Sequence, residues 1–343
     1  MKDSSKYVSV VISALLICLS AGFFSFSLSC SQPGEPMQEE MSASGEAPDV
    51  DANQTDSGQE AGNTVCPHQL FNIDVALGHI KELCVNIGCR PAGTEAEGRA
   101  AEYIKGVFSS IGYEKTYEQG FPLDNGLTSR NIYVLDEGSD PDQVIIIGAH
   151  YDTRGGTGSP GANDNGSGVA TVLELARIFR VNDNVPTLLF VTFGSEEILA
   201  GYDRDCHHFG SRYLADHLAE LKGNVIGMIS VDMVAAGSYP VANSTLLCSR
   251  TLLDLFVAFA GAQGVFPTFI QDPGWSDHES FEARGISSFW AEYREDIYYH
   301  LPQDNYDNVN PVLLNRMGSL LQGFIESIDQ ADCQVLDSVS NYR

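Results

Sequence analysis

Ile-Ile-Ile-Gly-Ala-His-Tyr-Asp is the sequence of residues 145–152, and Gly-Ala-Asn-Asp-Asn-Gly-Ser-Gly follows at residues 161–168. The first stretch is an apolar, β-branched run that ends on His150 and Asp152, which is typical of a buried strand. The second is a glycine-rich loop that carries Asp164, and helix-like sequence begins directly after it. Because open α/β sheets bind ligands at the carboxyl ends of their strands, these residues predict a functional site there. Imidazole and carboxylate groups in one crevice indicate a divalent metal ion, above all zinc.

Apolar runs alternate with amphipathic stretches along the rest of the chain. This alternation indicates an α/β fold with a largely parallel, doubly wound sheet flanked by helices. A closed barrel is disfavoured because too few strand–helix repeats are present. Strands are predicted at 132–135, 144–149, 188–193, 225–231 and 286–291, and helices at 73–87, 95–111, 168–179, 211–221, 252–262 and 311–328.

The N-terminal region does not have the composition of a packed core. Two lysines precede the apolar run 8–26, and small residues lead to Cys30, as in a secretory leader of the bacterial lipoprotein type. The run is nearly long enough to span a bilayer, so an uncleaved anchor is the alternative. We therefore expect a leader over 1–30 and a protein outside the cytoplasm, tethered through Cys30 or secreted.

The segment that follows the leader is acidic. Residues 31–64 hold eight Asp or Glu and no Lys, Arg or aromatic residue, which predicts a disordered linker. A folded domain is then expected over 65–330, and a C-terminal tail over 331–343. The whole chain has a net charge of −27, which argues against nucleic acid as a partner and limits membrane contact to the leader or a lipid anchor.

Beyond Cys18 and Cys30, the chain has six cysteines. An even number permits disulfides in an exported protein, but the sequence does not choose among the possible pairings. The spacing is not that of a zinc finger, so a structural Cys-rich zinc site is not expected. The six are Cys66, Cys84, Cys89, Cys206, Cys248 and Cys333.

Further acids and an imidazole follow other apolar runs. Glu196 and Glu197 come after the run 188–193, Asp232 follows the run 225–231, and His300 lies on a loop before the last helix. One acid at a strand end is usually a solvated cap, but this many ligand-type residues in such positions are hard to attribute to chance. Adjacent side chains on extended backbone point to opposite sides, so one glutamate can bind metal while the other takes a proton from metal-activated water.

Seven motifs along residues 75–328 resemble those of peptidase family M28. That family contains dizinc aminopeptidases, some carboxypeptidases and the related glutaminyl cyclases. The resemblance implies a zinc aminopeptidase-like α/β/α sandwich and makes the domain over 65–330 a zinc peptidase catalytic domain. The motifs lie at residues 90–94, 148–152, 163–168, 194–197, 231–233, 276–278 and 299–300.

The resemblance also implies a role for each site residue. Asp164 would bridge two zinc ions, with His150 and Glu197 completing one site. Asp232 and His300 would complete the other site. Glu196 would be the general base, and Asp152 would orient the His150 ring, as carboxylates commonly do for metal-binding imidazoles.

The activity implied by the resemblance is zinc-dependent removal of N-terminal residues from peptides with a free N-terminus, by a chain expected to be monomeric. One departure favours an alternative: residues 198–209 form a longer link than in the aminopeptidases, similar in length to that of glutaminyl cyclases. A glutaminyl-peptide cyclotransferase would use a single zinc to form N-terminal pyroglutamate. A non-catalytic binding domain is a third possibility, which the retained ligands and Glu196 disfavour.

The substrate pocket is expected to involve four residues near these motifs. Asp277 has a helix cap as its alternative role, because it lies just before a predicted helix. The segment 205–208, Asp-Cys-His-His, is either an extra metal site or, as we expect, a disulfide-bearing loop with solvent-facing histidines. The four expected pocket residues are Tyr202, Asp277, His278 and Tyr299.

Overall fold

The computed structural model describes residues 68–199, 201 and 206–340, which form one mixed sheet with helices on both faces. The predicted α/β fold class is confirmed. The eight strands are β1 (Tyr117–Pro122), β2 (Thr128–Asp136), β3 (Asp140–His150), β4 (Pro186–Phe193), β5 (Asn224–Val231), β6 (Tyr239–Ser244), β7 (Thr268–Gln271) and β8 (Ser288–Arg294). The α-helices are α1 (Ile73–Lys81), α2 (Glu95–Ser110), α3 (Gly168–Phe179), α4 (Phe209–Asp216), α5 (Thr251–Ala262), α6 (His278–Glu282), α7 (Pro311–Ser327) and α8 (Gln330–Val339).

The strand order is β1-β2-β4-β3-β5-β8-β6-β7. The four central strands, β4, β3, β5 and β8, run parallel to one another. The outer strands add antiparallel pairs, β1 with β2, β2 with β4, and β6 with β8. The carboxyl ends of the four central strands therefore meet at one edge of the sheet, where the predicted ligand residues follow them.

The period-two alternation of β3 divides the core into two layers. Ile145 and Ile147 lie in a large cluster with residues of α1, α2, α3, α5 and α7. Val144 and Ile146 lie in a second cluster on the opposite face, with residues of α4 and α6. Fully buried aliphatic side chains each contribute about 1.5–3 kcal/mol of hydrophobic stabilisation, so this strand is well fixed beneath the site.

The start of α3 lies very close to the end of β5. A Cβ atom on Gly168 would lie only 2.1 Å from the carbonyl oxygen of Val231, so a side chain at this position would clash with the backbone. Asn165 bridges the same junction, because its side chain donates to the Val231 carbonyl (2.9 Å) and accepts from the Gly168 amide (2.8 Å). This contact fixes the glycine-rich loop against the carboxyl end of the central strands.

The structure adds elements that the sequence pattern did not predict. Strands β1, β6 and β7 lie at the two margins of the sheet. The expected C-terminal tail instead contains α8, where Asp329 caps the helix and Cys333 and Leu336 are buried in the large core cluster. The folded domain therefore extends past residue 330.

Cys84, Cys89, Cys248 and Cys333 are free thiols in the part of the chain that the structure describes. Cys66 and the predicted leader and linker lie outside the described residues. Among the described residues, none of the helices has the length and apolar character needed to cross a membrane.

Candidate metal centre and active site

A first group of three ligand-type residues lies at the carboxyl ends of β3 and β5. His150 is the last residue of β3, and Asp232 directly follows β5. His150 Nε2 lies 3.3 Å from Asp164 Oδ1 and 3.5 Å from Asp232 Oδ1. All three residues are buried, and their ligand atoms are close enough together to hold one metal ion.

A second group shares Asp164 with the first. His300 Nε2 lies 3.1 Å from Asp164 Oδ2 and 2.9 Å from Glu197 Oε1. These three residues also have the spacing of a metal site. The two oxygens of Asp164 thus face different imidazoles, which is the arrangement that a carboxylate bridging two metal ions requires.

The five predicted ligands come together, but they divide differently from our expectation. His150 groups with Asp232, and Glu197 groups with His300, whereas the sequence analysis paired His150 with Glu197 and Asp232 with His300. The reason is the strand order and the loop geometry. Asp232 ends the strand next to His150, while the chain after β4 turns at Ser195, whose φ of 55° is left-handed, and brings Glu197 to the His300 loop.

Asp152 connects both groups. Its Oδ1 lies 3.4 Å from His150 Nδ1 and accepts the backbone N–H of Glu196 at 2.9 Å. Its Oδ2 accepts the backbone N–H of Glu197 at 3.2 Å. Asp152 therefore lies against the ring of one ligand and holds the backbone of the glutamate pair, a wider role than the orientation of His150 alone.

Two residues that the sequence analysis did not assign hold the loop of Asp164. Asp304 accepts the backbone amides of Asn163 (2.6 Å) and Asp164 (3.1 Å). Arg90 is completely buried and donates to the carbonyls of Tyr151, Pro160 and Gly161. Arg90 belongs to the motif at residues 90–94, so the sequence did mark it. Asp304 lies four residues after His300, outside the motifs, and nothing in the sequence marked it.

The site carries a strongly negative potential. Burial alone would lower the pKa of His300, but hydrogen bonds to Asp164 and Glu197 outweigh burial and raise the pKa to about 10. The pKa of His150 is likewise raised, because Glu196 and Asp232 outweigh burial. Asp232 Oδ1 is buried with no hydrogen-bond partner in the structure. A crowded set of buried oxygens and imidazoles with an unsatisfied carboxylate oxygen fits divalent cations of the zinc type.

Glu196 adjoins the two groups without belonging to either. Its Oε2 lies 3.9 Å from His150 Nε2, and its Oε1 lies 2.9 Å from His208 Nε2. Burial raises the pKa of Glu196 to about 6, although His150 and His208 act against that rise. A carboxylate with this pKa is well matched to accept a proton near neutral pH.

A cavity of about 820 Å³ opens over both groups and Glu196. Tyr299, one of the four expected pocket residues, lines it. Asp277 and His278 do not line it: both are fully buried, and His278 Nε2 bonds Asp272 Oδ2 at 3.0 Å. The structure therefore does not place either residue in the cavity wall, where the sequence analysis expected both. Tyr202 lies outside the described residues. The cavity wall also includes Arg154, Trp275, Trp290, Glu292, Arg294 and Asp296.

The expectation for residues 205–208 is also corrected at His208. Its side chain is buried between Glu196 and Glu279 instead of facing solvent. The pKa of His208 rises to about 9, because hydrogen bonds to Glu196 and Glu279 outweigh the effect of burial.

The family model described as Peptidase family M28 matches residues 131–325, more than half of the chain. The chain belongs to peptidase family M28. The predicted family is confirmed, and the predicted class of enzyme agrees with it. The match includes every one of the five ligand residues and both glutamates of the pair.

Relatives and solved structures extend this finding. Leupeptin-inactivating enzyme 1 of Streptomyces exfoliatus is 29% identical over 279 residues, 72% of this chain. Aminopeptidase YwaD of Bacillus subtilis is 30% identical over 209 residues, 57% of this chain. The fold resembles that of Bacteroides thetaiotaomicron glutaminyl cyclase bound to N-acetylhistamine, with a TM-score of 0.68 and 22% identity over 76% of this chain and 99% of that chain. The M28 chain spans only 59% of the first relative and 43% of YwaD.

Proposed function

We propose that this M28 protein is a zinc-dependent aminopeptidase that hydrolyses the N-terminal peptide bond of peptides with a free N-terminus. The observation that carries the proposal is the pair of ligand groups that share Asp164, with Glu196 beside His150 and lining the same cavity. The name of the relative YwaD supports the same activity. Two groups of ligands suit two zinc ions, which would be held by His150, Asp164 and Asp232 on one side and by Asp164, Glu197 and His300 on the other.

The protein's own residues supply the geometry of the reaction. Zinc, when bound, polarises the scissile carbonyl and makes water more acidic. Glu196 Oε2 faces the cavity beside His150 and accepts the proton of the attacking water. Glu196 can then return that proton to the leaving amine, since a carboxyl group with a pKa of about 6 exchanges protons readily at neutral pH.

Exchange of each glutamate for glutamine tests this assignment. Glu196→Gln keeps the shape of the side chain but cannot take the proton, so turnover should fall roughly 10²–10⁴-fold while zinc content stays at the wild-type value. Glu197→Gln should weaken zinc binding at one group. The assays are zinc analysis of the purified protein and release of amino acids from amino-acid amides. Loss of zinc from Glu196→Gln alone would reverse the two roles, and full activity of both variants would refute the mechanism.

A glutaminyl-peptide cyclotransferase is the second candidate, and the length of the link over residues 198–209 favours it. Such an enzyme would need one zinc, so one of the two ligand groups would be enough. Incubation with amino-acid amides and with N-terminal glutamine peptides separates the two functions. An aminopeptidase releases free amino acids and depends on His150 and Asp232 for its second zinc. A cyclase releases ammonia from the glutamine peptides and leaves the amides intact.

We also propose that the enzyme acts outside the cytoplasm, attached through lipid on Cys30. The leader-like composition of residues 1–30 and the acidic composition of residues 31–64 support this proposal. Cys30→Ala should release the protein from the membrane fraction or stall its processing in a bacterial host. Unchanged membrane attachment, with residues 8–26 still present by mass spectrometry, would indicate an uncleaved anchor instead.

A further inference from the structure

The link between Glu197 and α4 returns on itself directly beside the glutamate pair. The backbone N–H of Leu199 donates to the carbonyl of Cys206 at 3.1 Å, and that of His208 donates to the carbonyl of Glu196 at 2.8 Å. Phe209 continues the pattern, because its N–H bonds the carbonyl of Ser195 at 2.9 Å. These antiparallel contacts place His208 opposite Glu196, so the position of its side chain is set by the backbone of the link.

The His208 ring fills the space between two carboxylates. Its Nε2 lies 2.9 Å from Glu196 Oε1, and its Nδ1 lies 3.4 Å from Glu279 Oε2. The residue is 1% exposed, although it also contributes to the wall of the cavity, so both carboxylates are held by a nearly buried ring. Among the described residues, the two groups with metal-site spacing do not include His208, so its contacts are those of a hydrogen-bonding side chain.

The contact with His208 determines how Glu196 is presented to the cavity. With Oε1 held by His208, Glu196 Oε2 faces the edge of the first ligand group, 3.9 Å from His150 Nε2. Without this partner, the three side-chain bonds of Glu196 are free to rotate. The nearby imidazole of His150 and a bound metal ion would both attract its carboxylate. It can then rotate away from the attacking water or become an extra ligand of the metal, and either change removes the base from its working position.

We propose that His208 is a positioning residue that holds the Glu196 carboxylate in the orientation needed for a general base, with Glu279 fixing the far side of the His208 ring. The inference rests on the hydrolytic function proposed above. It assigns a purpose to the longer link of this chain, since the link carries the residue that contacts the base. His208 also lines the cavity, but in this proposal it acts through Glu196 and makes no bond to the reacting atoms.

Two variants of similar size separate hydrogen bonding from packing. His208→Gln keeps an amide donor near the position of Nε2, whereas His208→Leu fills the space without a donor. We expect His208→Leu to lower kcat roughly 10–100-fold, below the full worth of a general base, while KM and zinc content stay near the wild-type values. His208→Gln should recover most of the lost kcat. His217→Leu is the matched control, because His217 lies at the end of α4, where its ring bonds the carbonyl of Tyr213.

A double-mutant cycle with Glu196→Gln provides the decisive readout. If His208 acts through Glu196, adding His208→Leu to Glu196→Gln should change kcat by less than about twofold, since the interaction has already been lost. The proposal is overturned if the two substitutions lower kcat by factors that multiply in the double variant. It is also overturned if His208→Leu and His208→Gln have equal kcat, or if loss of zinc accounts for the whole effect. Full activity of Glu196→Gln would refute the hydrolytic function itself. If Glu196→Gln loses turnover as expected while His208→Leu remains fully active, only the role of His208 is refuted.

Discussion

Replacement of Asp152 by asparagine tests how both metal groups depend on one buried carboxylate. Asp152 accepts two backbone N–H groups, from Glu196 and Glu197, and also lies 3.4 Å from the His150 ring nitrogen. Asparagine keeps the size of the side chain but has a single oxygen. Its amide group must therefore face one of the two N–H donors or the ring, and at least one contact becomes donor against donor.

The size of the effect follows from these contacts. A hydrogen bond to a charged acceptor is worth about 1.5–3 kcal/mol, which corresponds to roughly 10–100-fold in an equilibrium constant. His150 belongs to one ligand group and Glu197 to the other, so we expect the affinity for both zinc ions to fall by roughly 10–100-fold, the range typical of residues that support metal ligands. Because the Glu196 backbone also shifts, kcat should fall even at saturating zinc.

Zinc titration against a competing chelator, followed by kinetics at saturating zinc, measures the two effects separately. Asp136→Asn is the matched control. Asp136 is a buried carboxylate at the end of β2, on the opposite edge of the sheet, where it is bonded by Tyr113 (3.2 Å) and Arg180 (3.1 Å). It should alter stability alone. Wild-type zinc affinity and kcat in Asp152→Asn would refute the reasoning, and so would an equal loss of zinc affinity in the control.

Two further predictions concern stability, measured by chemical denaturation. Arg90→Lys should lower the free energy of unfolding by about 2–4 kcal/mol, because one ammonium group cannot reach all four carbonyls that the Arg90 guanidinium contacts. Arg99→Lys, at an exposed i,i+4 pair, should change it little. Glu97 is buried, and burial together with the nearby charge of Asp152 raises its pKa from 4.5 to about 8. The folded state thus binds more protons than the unfolded state between these values, and stability falls as pH rises from about 4.5 to 8. Glu97→Gln should flatten that slope and be more stable than the wild type at pH 8, whereas the exposed Glu95→Gln should keep the slope; an unchanged slope in Glu97→Gln would contradict the prediction.

The strong elements of this fold could be predicted because their apolar patterns are long and uninterrupted. The helix α3 has the predicted bounds, and the central strands β3, β4 and β5 differ from the prediction by a few residues at their ends. The marginal strands lack such a pattern. β1 contains Gly120 and ends at Pro122, β6 contains Pro240, and β7 has only four residues with little burial. Their pairing with neighbouring strands, rather than their own sequence, makes them strands.

The identities of the site residues could be predicted, but their grouping could not. His150, Glu197 and Asp232 lie at or just after the end of an apolar run, which marks the carboxyl end of a strand in sequence alone, and Asp164 and His300 lie on loops of the matching motifs. The grouping depends on the strand order and on backbone conformations that side-chain patterns do not reveal. Ser195, Met233 and His300 all have left-handed φ values of 55–60° at the ends of the segments that carry the ligands. Such values are uncommon for residues other than glycine and are held by the surrounding structure.

Burial explains why the role of His208 could not be predicted from its motif. Histidines in a polar segment next to a cysteine are usually exposed, and the segment 205–208 has no apolar pattern. What buries His208 is the return of the link over Glu196, a backbone contact between residues twelve positions apart. Asp277 is the opposite case, because its place next to a helix suggested a cap, yet its carboxylate makes no capping bond and is completely buried. Burial and the charge of Glu196 raise the pKa of Asp277 to about 7, so a buried acid lies within electrostatic range of the base. A cationic His208 beside Glu196 offsets part of this negative charge, which is a second physical reason for the longer link to carry a histidine at this position.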